Sequence, residues 1–121
     1  MGLPSKNRLK RRQDFEAVYK QGIRVASRYF VVRALPVTAN TSPPPPTKFG
    51  LCVSRQVSKK AVVRNKIKRH LRNALRNLLP LFTSPWLIVI IVKPEVTECN
   101  YDNFLRELEK LFIKAGIIHG N

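Results

Sequence analysis

Hydrophobic positions in this chain alternate between helical and strand spacing. Phe15, Val18 and Tyr19 stand at i, i+3 and i+4, one face of a short helix that Gly22 stops. Residues 29–35 are aromatic and β-branched, which predicts a strand. Residues 49–54 predict another, with Phe49, Leu51 and Val53 on one face and the small Gly50, Cys52 and Ser54 on the other. These two strands are expected to pair as an antiparallel hairpin. Residues 61–79 read as a helix ended by Pro80, with Ile67, Leu71, Ala74, Leu75 and Leu78 gathered on one side. Residues 86–92 are continuously apolar, the signature of a strand covered on both faces, and Pro94 stops it. A last helix is predicted over 101–115, with a stripe of Phe104, Leu105, Leu108, Leu111, Phe112 and Ala115 before Gly116.

Strand, helix and strand in succession predict an α/β sandwich, one sheet with helices packed on it. A length of 121 residues suits a single domain spanning 1–121. Its edges are a basic N-terminal arm (1–12), a proline-rich loop (36–47) and a mobile tail (117–121). The Pro43–Pro46 run favours polyproline II and reads as a stiff connector. The longest apolar run is far short of the roughly 20 residues of a membrane span, and no signal peptide is read, so the expected location is the cytoplasm with no membrane partner. Cys52 and Cys99 lack metal-ligand spacing and are expected to be small buried apolar groups in a reducing cytosol.

Charge changes the picture most. The chain carries 23 Lys and Arg against 7 Asp and Glu, a formal net charge of +16. Between Glu16 and Glu95 there is no acid at all, while fifteen Lys and Arg occur there. Such a chain repels itself unless an external polyanion neutralises it. The excess concentrates on the 61–79 helix. Asn65, Lys68, Arg69, Arg72 and Arg76 form a second stripe roughly 120° from the apolar one at about 100° per residue. No acid at i±4 pairs them, so the stripe suits a row of phosphates. Arg64 points nearer the apolar side but can reach outward from the first turn. Lys66 points to a third side and is a weaker candidate.

The run Val63-Arg64-Asn65-Lys66-Ile67-Lys68-Arg69-His70-Leu71-Arg72, preceded by Ser54-Arg55-Gln56-Val57-Ser58-Lys59-Lys60-Ala61, resembles the signature of the bacterial ribonuclease P protein family. Asn7-Arg8-Leu9-Lys10 with Asp14-Phe15, and Phe49-Gly50-Leu51 with Val53-Ser54, resemble that family's opening and core strand. Lys66 stands where the family's RNR motif has its second arginine, which keeps the charge but loses the planar fork.

The resemblance implies a two-layer α/β (α+β) sandwich with about four strands and three helices, in the order α-β-β-β-α-β-α. It also implies a left-handed β-α-β crossover, against the usual rule. The implied function is that of the protein subunit of ribonuclease P. It binds the catalytic RNA and the 5′ leader of precursor tRNA, one protein per RNA, and assists removal of the leader to give mature tRNA 5′ ends. Catalysis belongs to the RNA with Mg²⁺. Arg64, Asn65, Lys66, Lys68, Arg69, Arg72 and Arg76 would bind the RNA. Phe15 and Tyr19, with Arg28, Phe30, Val31 and Arg33 on the cleft floor, would hold the leader. Some relatives have an aromatic where Arg33 stands, so a charge or guanidinium stacking replaces a base stack there.

From spacing alone, Phe15, Val18 and Tyr19 suit a core face as well as a base platform; with the family, Val18 stays core. His70 and His119 have no catalytic partner in the sequence, and the carboxylates lie at the two ends of the chain, so acid–base chemistry by the protein is not expected. Composition alone leaves a ribosomal or other structured-RNA-binding protein as an alternative. A helical DNA reader lacks a helix-turn-helix pattern.

Overall fold

A computed structural model describes residues 2–38 and 42–120. Residues 1, 39–41 and 121, which belong to the arm, the proline-rich loop and the tail, lie outside the described residues. Three helices and four strands follow one another as α1 (Arg12–Gln21), β1 (Ile23–Ala26), β2 (Phe30–Pro36), β3 (Lys48–Cys52), α2 (Ala61–Leu78), β4 (Trp86–Val92) and α3 (Phe104–Lys114), with short 3-10 turns between. The order is the α-β-β-β-α-β-α expected. β1 is the strand that no residue pattern had located.

The sheet runs β1-β2-β4-β3. β4 pairs antiparallel with β2 and parallel with β3, so β3, α2 and β4 form a β-α-β crossover. The expected β2–β3 hairpin is therefore wrong. β4, the most apolar strand, takes the place between them, where Ile88, Val89 and Ile90 are fully shielded from water. Direct pairing of β2 with β3 would have left that strand at an edge, with one side of its backbone unpaired.

Alternation divides the sheet into two faces. Phe30, Val32 and Ala34 of β2, Phe49 of β3 and Ile88, Ile90 and Val92 of β4 meet Ile67, Leu71, Ala74, Leu75 and Leu78 of α2 and the apolar stripe of α3. The five α2 residues are those the helical spacing selected. On the other face α1 lays Val18 over Val89, with Leu9 beside it and Phe15, Leu35, Cys52, Leu87 and Ile91 around the margin. Sheet and α2/α3 thus make the two-layer sandwich, with α1 lying across part of the opposite surface. Of the predicted α3 stripe, Leu105 remains 38% exposed.

Three expectations change with this packing. Phe30 was expected on the floor of a leader cleft. It is fully buried on the α2/α3 face, edge-on to Phe104 at 5.5 Å. Period-two alternation cannot put Phe30, Val31 and Arg33 on one surface. The N-terminal arm is docked: Leu3 and Leu9 are buried, Leu9 N–H donates to the Phe49 carbonyl at 2.8 Å, and the buried Asn7 side chain donates to the Thr47 carbonyl at 2.8 Å. The segment extends the sheet beyond β3 through the Arg8–Phe49 bridge. The tail is not loose either. Gly116 (φ 75°) reverses the chain, Ile117 N–H donates to the Phe112 carbonyl and Gly116 N–H to that of Ile113, and Ile117 and Ile118 are buried in the core.

Removal of the Phe30 ring should cost about 3–5 kcal/mol, the range for deleting a buried aromatic. Urea unfolding of Phe30→Ala measures this. A stability within ~0.5 kcal/mol of the parent would return Phe30 to the surface.

Candidate nucleic-acid interface

α2 presents its cations opposite the core and beyond it. Asn65, Arg69 and Arg76 are exposed, and Lys68 and Arg72 are half-buried at the flank of the stripe. The ion pairs among the described residues join Arg12 to Glu16, Arg28 to Glu98 and Lys110 to Glu107. Lys68, Arg69 and Arg72 take part in none of them. The first residues of the motif behave differently. Arg64 turns back, donating from Nη1 to the Ser58 carbonyl at 2.9 Å, and so ties the preceding loop to the helix. Lys66 places Nζ 5.5 Å from the centre of the Tyr101 ring.

That third side of α2 is structural as well as charged. His70 lies flat on Tyr101, ring centres 4.0 Å apart and planes 6° from parallel. Sequence reasoning left His70 without a partner because Tyr101 is remote in the chain. Burial, then Arg69 and Lys66, hold the imidazole below its ordinary pKa, while Asp102 opposes them.

The N-terminal segment adds to the ridge. Arg8 lies beside Arg72, and both line a cavity of about 230 Å³ with Lys10, Phe15, Gly50 and Leu51. Burial, then the nearby Arg8, disfavours the charged form of Arg72; a guanidinium nonetheless stays protonated in proteins. Arg8 also donates from Nε to the Leu3 carbonyl at 3.1 Å. The sequence places Arg8 in the arm, but only the docking of that segment brings it to α2.

α1 leaves a strip of the sheet beside it only half-covered. Phe15 lies on Gly50: a Cβ built there would meet the ring at 2.5 Å, so the small face of β3 is what admits the aromatic. Tyr19 is 41% exposed, with its hydroxyl 3.8 Å from Cys52 Sγ and the Arg33 guanidinium 5.4 Å from its ring centre. The register aligns Cys52, Ile91 and Val31 across three strands, all half-buried, as a floor beside Tyr19. Arg24 faces Arg33 directly across β1 and β2, adding a cation to the same side. Cys52, Ile91 and Arg24 were missed. Ile91 hides in a run read as covered on both faces, and Arg24 lies in the strand that was not located. Of the predicted cleft residues, Phe15, Tyr19, Val31 and Arg33 come together. Phe30 does not, and Arg28 is engaged with Glu98 at 2.8 Å.

The family model for ribonuclease P matches residues 3–116. The chain belongs to the ribonuclease P protein family. The ribonuclease P protein component of Rippkaea orientalis is 53% identical over 121 residues, covering 100% of this chain and 95% of the relative. That of Microcystis aeruginosa is 48% identical, covering 100% of both. Among solved structures, the Staphylococcus aureus RNase P protein superposes with a TM-score of 0.78 at 27% identity, covering 93% of this chain and 98% of that one. The chain is thus a subunit of an endoribonuclease of tRNA processing, and its partner is the RNA of ribonuclease P. Among the described residues no helix is long and apolar enough to cross a membrane.

His70 offers a solution readout of this interface. Because its folded pKa lies below the unfolded value of about 6.5, its contribution to stability is full above that value and is lost as pH falls through the folded pKa. In an NMR titration His70 should titrate below an ordinary histidine. Bound RNA should raise its pKa by neutralising Arg69 and Lys66; an unchanged value in the complex would place the phosphates elsewhere.

Proposed function

We propose that α2 seats phosphates of the ribonuclease P RNA while the α1 cleft holds the single-stranded 5′ leader of precursor tRNA. The observation that carries this is the single-signed row of exposed Arg69 and half-buried Lys68 and Arg72, continued by Arg8 and Lys10, beside the aromatic pair Phe15 and Tyr19. A phosphate row needs cations with no acid to compete, and each neutralised phosphate releases counterions. A leader with exposed base faces needs aromatic rings and nearby cations, and no base-edge readout. Phe15 and Tyr19 provide the rings and the exposed Arg24 a cation. In this reading Arg64 shapes the loop before α2 and is a lesser RNA ligand than Arg69 or Arg72.

Hydrolysis belongs to the RNA, with one protein per RNA in the cytoplasm. Mg²⁺ supplies charge stabilisation there and is held mainly by RNA oxygens. Among the described residues no group of three or more His, Cys, Asp or Glu is placed to hold a metal ion. The protein's part is to anchor the RNA and to raise the local concentration of leader-bearing substrate.

Reconstitution with the cognate RNA and a precursor tRNA at low Mg²⁺ tests the reading. The protein should improve leader removal over RNA alone, and no improvement refutes the reading. Arg69→Ala with Arg72→Ala should weaken assembly and reduce the salt slope by about 1 for each phosphate no longer neutralised. An unchanged slope would move the RNA-binding surface off α2.

A further inference from the structure

Arg33 stands on the cleft floor and by charge alone would count as a phosphate ligand. Its geometry says otherwise. Nη2 donates to the backbone carbonyl of Tyr19. Tyr19 lies in the last turn of α1, where carbonyls have no helical partner; the final helical bond there ends on Val18, from Gly22 N–H at 2.8 Å. Nε is shut off from solvent with no partner among the described residues. The Nε edge, one of the two by which a guanidinium grips a phosphate in bidentate fashion, is therefore closed to RNA. Meanwhile Cζ stands 5.4 Å from the centre of the Tyr19 ring.

Tyr19 is held from two further directions. Its hydroxyl meets Cys52 Sγ at 3.8 Å on β3, and its backbone belongs to α1. Arg33 on β2 completes the support, by capping one ring face and closing the helix end that carries the ring. Loss of Arg33 would uncap one ring face and leave the side chain held only at its hydroxyl, and ordering a looser side chain costs binding energy when RNA arrives.

We infer that Arg33 is a positioning residue for leader recognition: it fixes Tyr19 as a preformed stacking platform for an unpaired base of the precursor and acts through that ring. This rests on the leader-cleft reading above. The guanidinium occupies one face of Tyr19, so a single base stacks on the other. Charge from Arg33 reaches the base through the ring as a cation–π interaction on the opposite face. Lysine in this position would keep the charge but would have neither the planar cap nor the geometry to hold ring and carbonyl together.

A double-mutant cycle in the reconstituted holoenzyme tests this. The substrates are a precursor tRNA with a leader of several nucleotides and one with a single leader nucleotide. Tyr19→Ala should raise KM for the long-leader precursor about fivefold, the low end for loss of one base–aromatic stack. Arg33→Ala and Arg33→Lys should each raise it in the parent, and neither should raise it further in the Tyr19→Ala background. Affinity for the ribonuclease P RNA, kcat at saturation and KM for the single-nucleotide precursor should not move, which a merely unfolded variant would not satisfy. Should Arg33→Ala fail to fold, Arg33→Lys carries the cycle.

Losses at Arg33 and Tyr19 that multiply would mean that Arg33 touches RNA in its own right, and the inference is overturned. Full activity of Arg33→Lys would overturn it as well, since charge alone would then suffice. A Tyr19→Ala variant with unchanged KM for the long leader would refute the cleft reading itself, and that outcome is read from Tyr19 alone.

Discussion

Everything in this fold is arranged around the burial of β4. The strand has no charged side chain and is otherwise aliphatic after Trp86, so its faces must be largely covered and both of its edges paired. α2 and α3 cover one face, and α1 with the N-terminal segment covers part of the other. β2 and β3 satisfy its two edges. A core of this kind places the apolar side of α2 inward and leaves its cations no inward alternative. It also leaves α1 too short to cover the whole second face, and the half-covered strip beside Tyr19 is where the proposed leader site lies.

In the proposed function the chain separates two jobs that both need positive charge. On α2, Lys68, Arg69 and Arg72 take part in no ion pair among the described residues, which would suit a folded RNA whose phosphates are closely spaced. In the cleft the cations are fewer and interleaved with rings, which suits a flexible single strand. Arg8, Arg72 and Phe15 share one cavity at the β3 edge, so the two surfaces meet there. Docking of the N-terminal segment through Leu3, Asn7 and Leu9 holds Arg8 in that position despite its like-charged neighbour. A tightly folded core supplies the energy that tolerates this repulsion, and a bound polyanion would relieve it.

Arginine serves three physical ends in the one molecule. Arg69 is open to solvent, where the proposed function gives it a phosphate. Arg64 gives its guanidinium to the Ser58 carbonyl and shapes the loop before α2. Arg33 gives its own to a helix end and a ring face. Charge count treats the three alike. What separates them is which carbonyls lie within reach, a property of the packed elements around them.

The elements that sequence alone determined are those whose patterns are local. The inward face of α2, the apolar character of β4, the stop at Gly116 and the one-signed stripe all follow from side-chain spacing within a few turns or residues. The small face of β3, which admits Phe15 over Gly50, was legible in the same way. Tertiary structure decided the rest. Strand order depends on competition for the centre of the sheet, so the hairpin expected between β2 and β3 gave way to β4. The burial of Phe30 and the placement of Arg33 on the opposite face depend on which face of β2 meets α2. Local patterns also left open the docking of the arm, the stack of His70 on Tyr101 and the burial of Ile117 and Ile118. Each depends on surfaces made by residues distant in the chain, which come into being only once the core has closed.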